Sequence, residues 1–417
     1  MILAVSTGLI MIYSIIVFML VILLLVAVLL YAKEKLTPKG EVMVHINDRQ
    51  LTVSPGSTLL STLTNNGVFL PSACGGGGTC GMCKCQVESG GGSILPTETG
   101  FFTRKEQQHN WRLGCQVKVK ENIVIKVPES VLGIKKWECE VVSNRNVATF
   151  IKEFVVKLPE GESLQFNPGE YIQIDVPKYE TSFSSFDIDS QYREEWDKFK
   201  MWDLKGKNTE DTYRAYSMAN YPAEKNLIKL NIRIATPPWD NAKKQFMNVP
   251  SGICSSFIFS RKPGDKVMIS GPYGDFHIKN TDAEMIYIGG GAGMAPLRSH
   301  IFHMFKTLRT GRKVSYWYGA RSLREVFYLD EFRQIQKEFP NFSFHLALSE
   351  PLPADEWKGL TGFIHQVLID NYLSKHEAPE DIEYYFCGPP VMNNAVVKML
   401  HDYGVPKDNI SFDDFGI

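Results

Sequence analysis

The chain has 417 residues, a formal net charge of −1 and eight cysteines. Such a length exceeds one ordinary core and calls for about two to four domains. The balanced charge excludes the broad basic field that gathers nucleic acid, and eight cysteines in so long a chain exclude a disulfide scaffold.

The first 32 residues carry no Asp, Glu, Lys or Arg. The run from Gly8 to Tyr31 is apolar on every side and long enough to cross a bilayer as a helix, which predicts a transmembrane segment over residues 1–33. A signal peptide would have a positive start and a shorter apolar stretch. Lys33, Lys35 and Lys39 follow the span and no basic residue precedes it, so the positive-inside rule predicts a single pass with the N-terminus outside and the rest cytoplasmic. With no charge inside the span, this helix by itself offers no ion path.

Residues 34–130 read as a small α+β domain. Val42 to Ile46 alternates, Asn47-Asp48-Arg49-Gln50 supplies a turn, and Leu51-Thr52-Val53 returns as a hairpin. A short helix is expected from Ser57, as cap, to Gly67, as terminator. Further strands are expected at Lys84–Glu88 and Val117–Val127, around a Gly90-Gly91-Gly92 turn. Between them Cys74, Cys80 and Cys83 form a C-x5-C-x2-C loop, and Cys115 stands at the start of the last strand. Glycines at 75–78 and 81 let such a loop turn tightly and present N–H groups to sulfur. The pattern resembles the 2Fe–2S ferredoxins, with one residue more in the first gap than the C-x4-C-x2-C spacing. Structural zinc usually takes two C-x2-C hooks, and only one exists here. Disulfides would need an oxidising compartment. Cys74, Cys80, Cys83 and Cys115 are therefore the expected metal ligands. Cys85 is a decoy, read as a small buried residue on the following strand.

Residues 131–278 read as an antiparallel barrel, from strand-like runs at 137–143, 151–158, 171–176 and 227–234. An insertion at about 179–212 is rich in Ser, Asp, Glu and Lys, with Trp196, Phe199 and Trp202 interleaved. It reads as a solvated excursion or as a docking surface for a partner subunit. Arg214-Ala215-Tyr216-Ser217 offers a phosphate partner, a ring and a hydroxyl to a flavin. Gly252-Ile253-Cys254-Ser255-Ser256 reads as a helix start facing its diphosphate.

Residues 279–417 alternate strand and helix, the pattern of a doubly wound α/β sheet. Gly289 to Pro296 joins a strand at 285–288 to a helix expected at 296–308. Cys387-Gly388-Pro389-Pro390 ends a later strand. Two such strand ends at a switch point can grip a dinucleotide, which makes Gly291, Gly293, Pro296, Cys387, Gly388 and Pro389 the expected dinucleotide contacts. Arg321 and Arg324 follow the second nucleotide strand, where arginine can favour a 2′-phosphate.

The series R-x-Y-S, G-x-C-S, G-P-Y-G-D-F, G-G-G-A-G-M-A-P-L-R-S and C-G-P-P resembles the ferredoxin–NADP reductase superfamily. With a 2Fe–2S domain and a membrane helix in front, the chain is similar throughout to the F-subunits of the sodium-translocating NADH:quinone reductases, down to the tail Phe412-Asp413-Asp414-Phe415-Gly416-Ile417. That resemblance implies FAD held by Arg214, Tyr216, Ser217, Gly252, Ser255 and Ser256, with Phe415 over the ring. It also implies NADH as hydride donor, positioned by Ser217 and Cys387. It further implies partner subunits in a bacterial inner membrane, with quinone reached indirectly and sodium moved elsewhere in the complex. Two other readings use the same parts: a membrane-tethered reductase serving an oxygenase, and a zinc-stapled binding module without catalysis.

Overall fold

The computed structural model describes residues 7–36 and 40–414. Helix α1, Thr7–Leu36, contains an apolar stretch of 22 residues, Met11–Ala32, with none of it covered by protein. At 1.5 Å per residue such a stretch spans about 33 Å, the thickness of a bilayer's hydrocarbon core.

Contacts divide the chain into two compact units. The first comprises residues up to Leu70 and Gly76–Leu132, the second Pro71–Gly75 and everything from Gly133. In the first unit, β1 (Val42–Ile46) and β2 (Arg49–Val53) form the expected hairpin, but the turn is shorter than the sequence suggests. Arg49 and Gln50 already pair with Ile46 and His45. Asn47 makes this possible at φ +50°, and its amide exchanges two hydrogen bonds with Val127, at 2.9 and 3.0 Å. Helix α2 (Leu59–Asn65) is capped by Thr58 and not by Ser57: the Thr58 hydroxyl accepts from the Ser61 N–H at 3.1 Å. Strand β3 (Lys84–Ser89), helix α3 (Arg104–Gln108), strand β4 (Trp111–Leu113), strand β5 (Ile123–Lys126) and helix α4 (Glu129–Leu132) complete the unit. The sheet runs β2-β1-β5-β3-β4, a mixed arrangement of β-grasp type with β1 and β5 parallel. The strand expected over Val117–Val127 is broken. Lys118 forms only a bridge to Thr58, and pairing resumes at Ile123. Cys115 therefore lies in the turn after β4 and not at the start of the last strand.

The second unit opens with β6 (Lys135–Ala148), β7 (Ile151–Lys157) and β8 (Tyr171–Val176). An excursion follows: β9 (Tyr179–Ser182), α5 (Arg193–Lys198) and β10 (Lys205–Asn208). Then come β11 (Thr212–Ser217), β12 (Leu227–Arg233), the two-residue strands β13 (Trp239–Asp240) and β14 (Gln245–Phe246), α6 (Ile253–Phe259) and β15 (Lys266–Tyr273). The six long strands form an antiparallel sheet, β11-β8-β15-β6-β7-β12. Its edges meet at the Met218–Leu230 bridge and where the Ala219 N–H reaches the Lys229 carbonyl at 2.7 Å. The excursion is solvated on its polar side only: Phe183, Ile188 and Trp196 are fully buried in the barrel core. Trp196 Nε1 donates to the Thr149 carbonyl at 2.9 Å, and buried Lys152 donates to the Asp187 carbonyl at 2.6 Å. Its polar residues face water while its aromatics fold inward, a division that composition averages away.

The remainder is the doubly wound sheet. Its strands are β16 (Met285–Gly290), β17 (Val314–Ala320), β18 (Phe342–Leu348), β19 (Leu360–Thr361), β20 (Glu383–Cys387) and β21 (Ile410–Asp413). They lie parallel in the order β19-β18-β17-β16-β20-β21. Helices α7 (Met294–Phe302), α8 (Leu329–Glu338), α9 (Ile364–Asn371) and α10 (Pro390–Asp402) connect them. Every residue of β16 is buried, as a central strand covered on both faces requires. The order reverses beside β16, opening a crevice at the strand ends toward β20. Helix α7 starts at Met294, earlier than the sequence suggests, and residues 303–308 widen into a π turn.

Candidate functional site

The thiol loop is built on the first unit's sheet. Cys83 ends the loop at β3 and is 1% exposed; Cys115 is 5% exposed and Cys80 half-buried. The Cys83 thiol is pushed far above its ordinary range, first by a hydrogen bond with Cys115, then by burial and by the neighbouring Cys115 and Cys80 sulfurs. The neighbouring Cys115 and Cys80 sulfurs make the Cys83 thiolate costly, and bound iron would remove that cost, so the donor set fits an iron–sulfur group. Among the described residues no three His, Cys, Asp or Glu donors converge on one point. A two-iron cluster does not need that, because four cysteines are shared between two metals. Gly81 holds φ +69°, and a Cβ there would lie 2.4 Å from the Phe101 ring. Gln116 Nε2 donates to the Cys115 sulfur at 3.6 Å, a contact that the sequence reading missed. Its one signal was position, immediately after a proposed ligand. Cys74 lies in the Pro71–Gly75 segment, which groups with the second unit. Cys85 is fully buried on β3, its thiol pointed at the Arg112 carbonyl and pushed up to about 12 by burial.

Beneath the loop lies a buried ion pair. Glu98 is 0% exposed and accepts from Arg112 Nη2 at 2.7 Å, from the Leu95 N–H at 2.9 Å and from the Leu113 N–H at 2.8 Å. Arg112 Nη1 holds the Gly91 and Gly92 carbonyls at 2.7 and 2.9 Å. One carboxylate thus ties two turns to the strand that leads into Cys115.

In the second unit, β11 presents the flavin candidates. Arg214 Nη1 donates to Thr212 Oγ1 at 3.0 Å and to the Tyr213 carbonyl at 2.7 Å. Tyr216 packs on Cys254 of α6, and burial raises its phenol well above the ordinary range. Gly252 precedes α6 and leaves no room for a side chain, since a Cβ would lie 2.5 Å from the Ala235 methyl. Ser255 Oγ accepts from the Ala235 N–H at 3.1 Å, while Ser256 is buried against Gly206 of the excursion.

Ser217 reaches across to the nucleotide sheet, where its hydroxyl donates to Asp413 Oδ2 at 2.7 Å. Asp413 pairs in register with Cys387, so three candidate groups gather at the C-terminal edge of β20 and β21. Burial raises the Asp413 carboxyl to about 6, with Asp414 and Asp275 adding to the rise and Ser217 opposing it. Burial likewise raises the Cys387 thiol, which Asp413 and Asp414 reinforce. Asp413 was absent from the sequence-predicted contacts although it stands in the tail that carries the resemblance. Phe415 lies outside the described residues.

Beside this edge is a cavity of about 550 Å³, walled by Gly290, Gly291, Gly319, Ala320, Pro389 and Met392 among others. Gly291 holds φ +56°, which brings bare backbone to the wall. Gly293 does not line the cavity; a Cβ there would meet the Cys387 carbonyl at 2.1 Å and the Gly388 nitrogen at 2.6 Å, so these glycines let the two loops close on each other. Pro296 is buried inside α7's first turn, where a missing N–H costs no helix bond. Arg321 is paired with Glu325 at 3.7 Å, and Arg324 with Glu194 at 3.4 Å. Phe150, Phe199 and Phe363 join the wall, the first two from the barrel and its excursion.

Comparison with known proteins agrees domain by domain. Residues 43–120 match a 2Fe-2S iron-sulfur cluster binding domain, 197–278 an oxidoreductase FAD-binding domain and 287–398 an oxidoreductase NAD-binding domain. The Na(+)-translocating NADH-quinone reductase F-subunit of Pseudomonas paraeruginosa is 56% identical over 388 residues, covering 93% of this chain and 94% of that one. The chain belongs to the family of Na(+)-translocating NADH-quinone reductase F-subunits. The Neisseria gonorrhoeae member is 53% identical over 97% of this chain and 99% of its own length. Among solved structures, the Amycolatopsis cytochrome P450 reductase GcoB shares the fold, with a TM-score of 0.61 and 23% identity over 90% of this chain and 98% of that one. The ferredoxin reductase of carbazole 1,9a-dioxygenase follows at 0.57 and 25%, with the same coverage. The family therefore carries a 2Fe–2S cluster, FAD and an NAD site on one chain. Relatives of over half identity across nearly its whole length outweigh the oxygenase-serving reading, and three cofactor domains leave no place for a zinc-stapled module.

Proposed function

We propose that this chain is the NADH-oxidising, electron-input subunit of a sodium-pumping NADH:quinone reductase. Bound FAD would convert a two-electron hydride donor into single electrons, and the 2Fe–2S cluster would take them one at a time toward partner subunits and finally quinone. The protein's own part is binding and orientation. Arg214, Tyr216 and Ser217 hold the flavin from β11, with Gly252, Ser255 and Ser256 at the start of α6 and Phe415 from the tail. Gly291 and Pro389 let the dinucleotide approach bare backbone, and Gly293, Gly388 and Pro296 shape the two loops. Ser217 and Cys387 set where the nicotinamide meets the flavin, and Asp413 holds the Ser217 hydroxyl in place. Cys74, Cys80, Cys83 and Cys115 hold the cluster. The relatives named for NADH support NADH over NADPH here. Helix α1 anchors the chain, with Lys33, Lys35 and Lys39 keeping the later domains on the cytoplasmic side.

The observation that carries this reading is the Ser217–Asp413 hydrogen bond beside Cys387, which joins the flavin strand to the nucleotide sheet at one edge. The test is anaerobic mixing of the full-length chain, in detergent, with NADH. Flavin bleaching followed by a reduced-cluster EPR signal supports it; a flavin that NADH leaves oxidised refutes it.

A further inference from the structure

We propose that Arg298 is a positioning residue for hydride transfer, locking the glycine loop that receives the dinucleotide to the segment that continues from the flavin strand. This deepens the NADH-to-FAD reading and rests on it.

Arg298 lies in α7, the helix that follows Gly291–Gly293, and is 2% exposed. Its partners come from both sides. Nη1 donates to the Ala219 carbonyl at 2.7 Å and to Glu224 Oε2 at 3.0 Å. Nη2 donates to Glu224 Oε1 at 3.1 Å and to Glu331 Oε2 at 2.7 Å, and Nε donates to Glu331 Oε2 at 3.2 Å. These five contacts engage the whole fork of a guanidinium. The next residue repeats the grip one step along, since Ser299 Oγ donates to the Asn220 carbonyl at 2.8 Å. Consecutive residues of α7 thus hold consecutive carbonyls of a segment that begins right after Ser217, with only Met218 between. A slide of α7 along that segment would break both bonds at once.

A second observation marks the same seam. Tyr328 precedes α8 at φ +59°, a backbone conformation that bulky side chains rarely take. Its hydroxyl donates to Glu153 of β7 at 2.6 Å and accepts from Asn231 of β12 at 2.9 Å. The Arg298 guanidinium lies 5.0 Å from the Tyr328 ring and 4.1 Å from the Phe302 ring. The barrel therefore holds the strained residue at the start of α8 against the same arginine. Hydride transfer needs its two reacting atoms in close, aligned contact, and the rate falls steeply with small displacements. The barrel positions one reactant and the glycine loop the other, so their relative placement is decided at this seam.

The experiment is anaerobic stopped-flow reduction of the full-length chain in detergent, using NADH and NADH deuterated at the nicotinamide C4. Arg298→Lys keeps the charge and loses the fork. We expect FAD content and the NADH dissociation constant within about threefold of wild type, flavin reduction slower by about tenfold or more, a weaker nicotinamide–flavin charge-transfer band and a changed deuterium isotope effect. A merely structural arginine would lower the melting temperature and leave the band and isotope effect alone, which would overturn the proposal. Glu331→Gln, whose side chain is 39% exposed and so disturbs folding less, must show the same pattern more weakly; an unchanged rate and band there would also overturn it. Wild-type flavin that NADH fails to reduce would instead sink the functional reading, and this inference with it.

Discussion

Arg112 in the first unit and Arg298 in the second are both buried and both paired with carboxylates, yet they solve different problems. Arg112 meets one wholly buried carboxylate, Glu98, and everything the pair holds lies within a few strands and turns of a small sheet. Arg298 meets two partly exposed carboxylates, Glu224 of the barrel and Glu331 of helix α8. A small domain with little apolar area needs an internal clamp to shape a metal loop. The larger reductase unit has ample core, and its buried charge sits where two substructures must keep register. The contrast teaches that a buried ion pair is read by what its partners are attached to, because its net worth as an interaction is modest.

The largest expected effect separates the units outright. Cys83→Ala abolishes the cluster's visible and EPR signals while leaving the rate of flavin bleaching by NADH within about twofold; loss of both would break the comparison. Next, Glu98→Ala leaves Arg112 buried without a partner, which costs about 3–5 kcal/mol. Calorimetry should show the first unit melting earlier and losing iron, with the reductase transition unmoved. Replacing both partners together, Glu98→Leu with Arg112→Met, should recover most of that stability; if it does not, the clamp shapes the loop in a way that apolar packing cannot replace.

A smaller effect concerns pH. The Asp413 carboxyl stands at about 6 when folded, above its unfolded value. Stability from its neutral form is therefore complete below the ordinary carboxylate range and lost as pH rises through about 6. Flavin bleaching by NADH should show an inflection near pH 6 that Asp413→Asn removes, and persistence of the inflection in that variant would assign it elsewhere. Smallest is Thr58→Ala, which removes the α2 cap and should cost the first unit about 1 kcal/mol, while Ser57→Ala costs almost nothing.

Local signals were legible wherever chemistry is concentrated in contiguous residues. The charge-free run, the C-x5-C-x2-C loop, the glycine loop after Met285–Ile288 and the alternation of strands and helices each depend on neighbours in the chain, so periodicity and spacing reveal them. The excursion at 179–212 was misread because its composition is polar while its fold is decided by a few apolar side chains at irregular spacing, Phe183, Trp196 and Met201 among them. The broken strand before Ile123 and the turn that carries Cys115 depend on which backbone groups find partners far along the chain. Asp413 beside Ser217 and Arg298 against Ala219 join residues 196 and 79 positions apart. Sequence by itself determined which cofactors this protein can hold, because their ligands come in short motifs. Only the tertiary structure decided how the flavin strand and the nucleotide sheet are aligned, because alignment is a property of contacts between distant segments and leaves no trace in local pattern.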